Sequence, residues 1–295
     1  MDRDVCLIIV TYNREILLRK CINKVLESVP NIGGIVVVNN ASTDGTNEYL
    51  NTLNNNKIDV LNLPENIGGA GGFSKGIEHA FKKQYKYFWI MDDDTMINKN
   101  TLKYLIDEFE DLNEDVGFIC SNVLFTDNNQ CIMNIPKLSK NWGVNINRKL
   151  LKVDNASFVS ILIKNEVVRD VGLPISEFFI WGDDLEYTKR ISKKYNCYMS
   201  INSTVTHEMK ENIGINIVSD SDSRLNRYYY EFRNKNYIYR KNRALMQYYI
   251  YVLKSIIKVI LKSDKNKIRK LLVIFKGMKD GIMFNPKIRQ VNANN

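Results

Sequence analysis

Three consecutive aspartates, Asp92-Asp93-Asp94, close an apolar run of the chain. Like charges at contact distance repel, and a bound divalent cation removes that cost. An all-oxygen ligand set suits Mg2+ or Mn2+. The alternative is a solvated acidic turn ahead of a helix near Asn100. A second acidic pair, Asp183-Asp184, follows the aromatic run Phe178-Phe179-Ile180-Trp181, which is suited to lining an acceptor pocket. A carboxylate near a helix N-terminus stays ionised more easily, which suits a general base. Capping needs only one of the two, so one aspartate can cap while the other works. The segment Gly68-Gly69-Ala70-Gly71-Gly72 is not a GxGxxG fingerprint and lacks the lysine of a P-loop. Its glycines allow backbone to approach a phosphate or sugar, or simply form a flexible turn. Of the two histidines, His79 lies within a helical stretch and reads as structural. His207 ends a strand, where an imidazole beside carboxylates would favour Mn2+ over Mg2+.

The elements that must position these residues alternate. Residues 5–10 form a short apolar, β-branched run, suited to a strand covered on both faces. Residues 14–29 carry Leu18, Cys21, Ile22, Val25 and Val29 at helical spacing. Residues 35–38 and 60–63 are further buried runs, 73–83 reads as a helix, and 85–91 as a fourth strand. Strands alternating with helices predict an α/β fold with a mostly parallel, doubly wound sheet. Sites in such sheets lie beyond the carboxyl ends of the strands. There stand Thr11-Tyr12-Asn13-Arg14, Asn39-Asn40-Ala41-Ser42-Thr43-Asp44, the Asn66–Gly72 stretch and the aspartate triplet, all polar, acidic or glycine-rich. The second half is less regular: a strand over 157–163, a helix over 185–194, and a strand ending near Thr206-His207.

With 295 residues the chain accommodates one large α/β domain and a smaller appendage. Its 44% hydrophobic and 25% charged content is that of an ordinary soluble globular protein. Five cysteines without a CxxC pair or metal-ligand spacing suggest a reduced, cytoplasmic setting. The chain enters a strand directly after Met-Asp-Arg-Asp, so no signal peptide is expected. No apolar run approaches the ~20 residues of a membrane span.

The net charge of +9 is unevenly distributed: residues 224–290 hold 18 Lys or Arg against three acids, and the remainder is net −6. This divides the chain into 1–223 and a basic, mostly helical 224–295. Within 248–262, Lys254, Lys258 and Lys262 share one helical face, with Tyr249, Val252, Ile256, Ile257, Val259 and Ile260 over most of the rest. Such a segment is too short and too charged to span a bilayer and is suited to lie on one. Lys265, Lys267, Arg269, Lys270, Lys276 and Lys279 extend the positive field toward anionic lipid. The alternative is a helical pair packed on the body with a solvated lysine face. No nucleic-acid-binding motif accompanies the charge, so no nucleic acid partner is expected.

Taken in order, VCLIIVTYNR, VVVNNASTDGT, PENIGGAGGF, WIMDDDT, FFIWGDDLEY, VTHE and YYYEFRNKNY resemble the inverting GT-A glycosyltransferases of family 2 over about residues 5 to 240. NIGGAGGF and the WGDDLEY–H–RN series are most similar to galactofuranosyltransferases, with rhamnosyltransferases close behind. The resemblance implies the GT-A fold, a Rossmann-like sheet flanked by helices, here with a C-terminal basic helical extension. It implies that Asp92 and Asp94 bind the metal with His207, and that Asp184, with Asp183 beside it, is the base. It places Thr11, Tyr12, Arg14, Asn40 and Asp44 around the nucleotide, and Asn66, Gly69, Gly71, Gly72 and Asp93 near the diphosphate and donor sugar. Trp181 would stack on the acceptor. Asn40 stands where the family usually has an acid, which leaves the mode of base recognition open.

The implied activity is metal-dependent transfer of galactofuranose from UDP-galactofuranose to a hydroxyl of a glycan or lipid-linked acceptor. The setting implied is cell-surface polysaccharide synthesis at the cytoplasmic face of the membrane. Transfer from dTDP-rhamnose is the second reading. A sugar-phosphate nucleotidyltransferase would want a basic glycine-rich loop after strand one, and a non-catalytic nucleotide-sugar-binding module would not need Asp184.

Overall fold

A computed structural model describes residues 2–112 and 114–291. Four parallel strands open the fold: β1 (Val5–Thr11), β2 (Gly34–Asn39), β3 (Ile58–Asn62) and β4 (Tyr87–Asp92), in spatial order β3-β2-β1-β4. They are connected through α1 (Glu15–Ser28), α2 (Thr46–Thr52) and α3 (Gly68–Lys82). Side chains alternate across a strand, and β1 divides accordingly. Val5, Leu7 and Ile9 enter a core with α1 and α2, whereas Cys6, Ile8 and Val10 enter one with α3. An unbroken apolar strand is the outcome of this double coverage.

The helix α3 begins five residues before the predicted start at residue 73, so the glycine segment is its first turn. Glycine costs roughly 1 kcal/mol in a helix relative to alanine, but close packing requires it here. A Cβ on Gly72 would lie 2.5 Å from Val10 Cγ1, and one on Gly71 would lie 2.7 Å from the Ile67 side chain. Tertiary contact outweighs local propensity.

The remaining strands are β5 (Thr95–Ile97), β6 (Val116–Leu124), β7 (Leu150–Lys152), β8 (Ile161–Lys164) and β9 (Asn196–His207). The helices α4 (Thr101–Asp111), α5 (Asn165–Val171) and α6 (Asp183–Ser192) intervene. Here the sheet departs from a mostly parallel expectation. β8 is antiparallel to β4 and β6, and β5 and β7 are antiparallel to β9, with only β6 and β9 parallel. Antiparallel pairing needs no crossover helix, so short strands can be added from loops. The strand expected over 157–163 is Ile161–Lys164, because Phe158 and Val159 are buried in a loop.

The basic segment forms α7 (Arg227–Lys241), α8 (Leu245–Lys262) and α9 (Lys267–Met283) around Tyr228, Phe232, Tyr248, Val252, Val259 and Ile274. α7 also packs on the body, where Tyr237 and Ile238 meet Ala70, Ile175 and Phe178. After α9 the chain returns to the sheet domain: Leu173 N–H donates to Arg289 O at 2.9 Å, and Arg289 pairs with Glu78 at 2.6 Å. All five cysteines are free and buried. Among the described residues no helix is long and apolar enough to cross a membrane.

Candidate active site

The carboxyl ends of β1, β2 and β4 converge with the end of β9. Register brings His207 in, since it pairs with Thr95, next to Asp94. Glu208 N–H also donates to Asp94 O at 2.9 Å. Asp92, Asp94 and His207 each offer a ligand atom, and these atoms lie within 4.8 Å of one another. His207 Nε2 is 2.9 Å from Asp94 Oδ1. That buried oxygen nonetheless has no aligned hydrogen-bond donor. Two carboxylates with one imidazole at this spacing are a fitting donor set for a divalent cation.

The opposite ring nitrogen fixes the tautomer. His207 Nδ1 lies 2.9 Å from Asn134 Oδ1, which can only accept, so Nδ1 carries a proton and Nε2 is the nitrogen that would bind a cation on losing its own. Cys131 Sγ also donates to Asn134 Oδ1, at 2.9 Å. Without a cation, burial opposes charge on His207, but Asp94, Cys131 and Asp92 push its pKa up to about 10. Burial and Asp94 raise Asp92 to about 6, with His207 and Arg14 opposing. The Asp94 carboxyl is held below its ordinary range: burial opposes this, and His207 and Arg14 outweigh it.

Asp93 turns toward β1. It accepts from Thr11 Oγ1 at 2.7 Å and pairs with Arg14 Nη1 at 3.3 Å, and the same guanidinium contacts Asp94. Burial pushes Asp93 up to about 7 against the pull of Arg14. Burial also opposes the charge on Arg14, and Asp93 and Asp94 hold it on. Tyr12 is 44% exposed at the rim.

The neighbouring loops are stapled by amides. Asn13 Oδ1 accepts from Thr43 N–H at 2.7 Å, joining the turns after β1 and β2. Asp44 accepts from Thr46 N–H at 3.0 Å and Glu15 N–H at 3.3 Å, so it serves the starts of α2 and α1. Asn40, buried, donates to Asn66 Oδ1 at 3.1 Å and Gly68 O at 3.0 Å, and accepts from Ile67 N–H at 3.0 Å. Its amide is thereby spent on bracing the turn into α3. Asn66 Oδ1 also accepts from Gly68 N–H at 2.8 Å. Of the glycines expected to face a ligand, Gly69 opens onto free space, whereas Gly71 and Gly72 are filled by Ile67 and Val10. The latter two therefore shape the helix seat instead of lining the cleft.

The aromatic loop is held in uncommon backbone geometry. Phe179 (φ 64°), Trp181 (φ 65°) and Gly182 (φ 89°) all have positive φ, rare for bulky side chains. The Asn234 amide of α7 pays for this strain: Nδ2 lies 2.9 Å from Phe178 O, 3.1 Å from Ile180 O and 2.8 Å from Trp181 O. Phe179 stacks on Tyr230 and Trp181 meets Tyr228 edge-on at 5.1 Å. Trp181 is half-buried. Gly182 is the N-cap of α6 and provides no side chain, and Asp184 Oδ1 accepts from Leu185 N–H at 2.6 Å. Burial raises Asp184 to about 6; the Leu185 N–H opposes, and Asp92 and Glu231 add to the rise. Burial, then Asp184, pushes Asp183 well above the ordinary range. Asp92 thus acts electrostatically on both members of the pair, as it does on His207. His79 is elsewhere, paired with Asp59 at 2.5 Å between α3 and β3.

Asn134 is not marked by the sequence, and Asn234 enters only as the second residue of the RN pair in the family resemblance, with no role attached. Asparagine is abundant throughout, and each acts on residues more than fifty positions away.

The pattern of glycosyl transferase family 2 matches residues 6–172, more than half of the chain, and the chain belongs to that family. Galactofuranosyltransferase GlfT1 of Mycolicibacterium smegmatis is 26% identical over 205 residues, covering 63% of this chain and 65% of the relative. Poly-beta-1,6-N-acetyl-D-glucosamine synthase of Staphylococcus aureus is 28% identical over 100 residues, 34% of this chain but only 24% of the synthase. The chain thus matches about a quarter of one relative and just under two thirds of the other. Among solved structures, GalNAc-T7 with UDP, GalNAc and Mn2+ superposes with a TM-score of 0.57 at 15% identity, covering 80% of this chain and 50% of that one. The mannosyltransferase PcManGT from Pyrobaculum calidifontis, in complex with GDP-Man and Mn2+, gives 0.53 at 14%, covering 95% and 73%. These likenesses establish the GT-A fold, a mixed α/β sheet with flanking helices, here followed by C-terminal helices.

Proposed function

We propose that the chain is an inverting, metal-dependent glycosyltransferase that moves a sugar from a nucleotide sugar to an acceptor hydroxyl. The observation that carries this is the pairing of two clusters at one sheet edge. Asp92, Asp94 and His207 offer ligand atoms within 4.8 Å of one another, and the Asp183-Asp184 pair lies within the electrostatic reach of Asp92. The relatives' names, and the Mn2+ in two structural neighbours, support the same reading.

Asp184 takes the proton of the acceptor hydroxyl, whose oxygen bonds to the anomeric carbon as the bond to the diphosphate breaks on the opposite face. A single displacement inverts the anomeric centre and needs no protein nucleophile. Asp92, Asp94 and His207 would hold a divalent cation, which would supply Lewis-acid stabilisation of the charge on the departing diphosphate. Mn2+ is favoured over Mg2+ because of the imidazole. Burial and the neighbouring Asp184 push the Asp183 carboxyl toward its protonated form, which leaves Asp184 as the member of the pair suited to take the proton. Thr11 and Arg14 orient Asp93 beside the donor, Tyr12 and Asp44 border the nucleotide, and Gly69 gives the donor backbone access. Asn40 and Asn66 act by bracing that turn, and Trp181 stacks on the acceptor sugar.

The favoured donor is UDP-galactofuranose, on the likeness to a galactofuranosyltransferase, and the acceptor is a glycan or lipid-linked hydroxyl. Residues 1–223 form the catalytic part, and 224–295 hold it peripherally on the cytoplasmic face of a membrane. Nucleotide release from a panel including UDP-galactofuranose, dTDP-rhamnose and UDP-N-acetylglucosamine tests this. Fastest turnover with UDP-galactofuranose supports the donor assignment, and fastest turnover with another sugar replaces it. Failure to turn over any nucleotide sugar, with donor bound, contradicts the transferase reading.

A further inference from the structure

The helix α8 carries two apolar faces, and the protein uses only one. Tyr248, Val252, Ser255 and Val259 point inward, with Ile256 partly buried beside them. On the other side Met246 (73% exposed), Ile250 (46%), Leu253 (57%), Ile257 (45%) and Ile260 (50%) follow at steps of three and four, the repeat of one helical stripe, with Leu261 (73%) four on from Ile257 beside it. Lys254, Lys258 and Lys262 are exposed along one edge of this stripe, and α8 has no acidic residue. α9 repeats the arrangement: Ile268, Leu272, Phe275 and Ile282 are exposed, with Arg269, Lys276 and Lys279 exposed among them. Half of the exposed large hydrophobic side chains among the described residues fall within 245–283, so this is a patch rather than scatter.

We infer that the outward stripe of α8, continued by α9, inserts into the interface of an anionic bilayer. This deepens the peripheral-membrane part of the proposed function and rests on it. A protein partner would be expected to meet an apolar core with a mixed rim, whereas the charges flanking this stripe are predominantly positive: Asp264 lies between the two helices, and Asp280 on α9 accepts from Tyr229. Apolar residues at interfacial depth with lysines at headgroup level are the arrangement of a helix lying in the membrane plane. At 18 residues α8 would lie along about 27 Å of surface. Lys270 does not share in this: it is buried, donating to Val218 O at 2.7 Å and Ser263 Oγ at 2.8 Å, and contributes to the helix packing. The tail therefore does both things: its inner faces pack on the protein and its outer face stays free. Because α7 carries Asn234, docking α8 and α9 would also set the height of the aromatic loop above the membrane.

The test is co-sedimentation of the full chain with vesicles of phosphatidylcholine alone or mixed equally with phosphatidylglycerol. The unaltered protein should bind the mixed vesicles and bind phosphatidylcholine far less. Leu253→Asp with Ile257→Asp should reduce partition by at least about tenfold. Replacing Lys254, Lys258 and Lys262 by Gln should reduce it by about fivefold per charge, on anionic vesicles only. Unchanged partition in either variant set, or a stable dimer of the unaltered chain that dissociates on Leu253→Asp, overturns the inference. Nucleotide release with a soluble acceptor is measured on the same proteins. Vesicle binding without turnover would sink only the transferase reading, and turnover without vesicle binding only this one.

Discussion

Replacing Asp184 with asparagine should abolish transfer and, above neutral pH, stabilise the fold. Burial displaces this carboxyl from the ordinary 3.8 to about 6, with Asp92 and Glu231 adding to the effect. Its folded-state pKa is raised, so its contribution to stability is full below about pH 4 and is lost as pH rises through about 6. That displacement corresponds to about 3 kcal/mol at ~1.4 kcal/mol per pH unit. The side chain is half-buried, so screening brings the expected gain of Asp184→Asn to about 1–2 kcal/mol at pH 8. For a chain of this size that is a rise of roughly 2–6 °C in Tm. Asparagine retains the oxygen that accepts from Leu185 N–H, so the helix start is preserved. Thermal unfolding in EDTA at pH 8 and pH 4.5, with nucleotide release at pH 8, is the assay. Added Mn2+ should shrink the gain, because the charge on Asp92 is then compensated. A lower Tm for the variant at pH 8, or an equal difference at both pH values, would refute the view that Asp184 is a strained, ionised base.

Asn134→Ala should weaken Mn2+ binding by about tenfold or more, because His207 loses the acceptor that fixes its tautomer; calorimetric titration measures this directly. Asn234→Ala leaves three strained carbonyls without their shared donor and should cost about 1–3 kcal/mol in denaturant unfolding, with a raised acceptor KM. Gly68→Ala should destabilise strongly, since its φ is 77° and a Cβ would lie 2.0 Å from Phe179 O, whereas Gly69→Ala should fold normally. If a ligand uses the space beside Gly69, that second variant shows its effect in donor KM and not in Tm.

The residues whose chemistry is visible in their type were legible from sequence. Parallel strands put the aspartates after β4 beside the loops after β1 and β2, and the antiparallel β5–β9 register adds the histidine at the end of β9. The bracing roles were not legible, although Asn234 stood within the RN pair of the resemblance. Asn134 reaches His207 from a single 3-10 turn, and Asn234 reaches the aromatic loop from α7, contacts that no local spacing encodes. The glycine segment misled for a related reason. Its missing side chains are used by Val10, Ile67 and Phe179, which lie on other elements or beyond the turn, so a helix start resembled a loop. On α8 the apolar residues looked like one broad face, and only packing separates inward Val252 and Val259 from outward Leu253 and Ile257.

The most direct test of the two-cluster site is nucleotide release from the preferred donor after dialysis against EDTA, followed by titration with Mn2+. Turnover should be lost in EDTA and restored by Mn2+, with His207→Ala requiring about tenfold or more Mn2+ for half-restoration. Undiminished turnover in EDTA, or a His207→Ala enzyme with an unchanged Mn2+ requirement, would contradict a metal centre built from Asp92, Asp94 and His207.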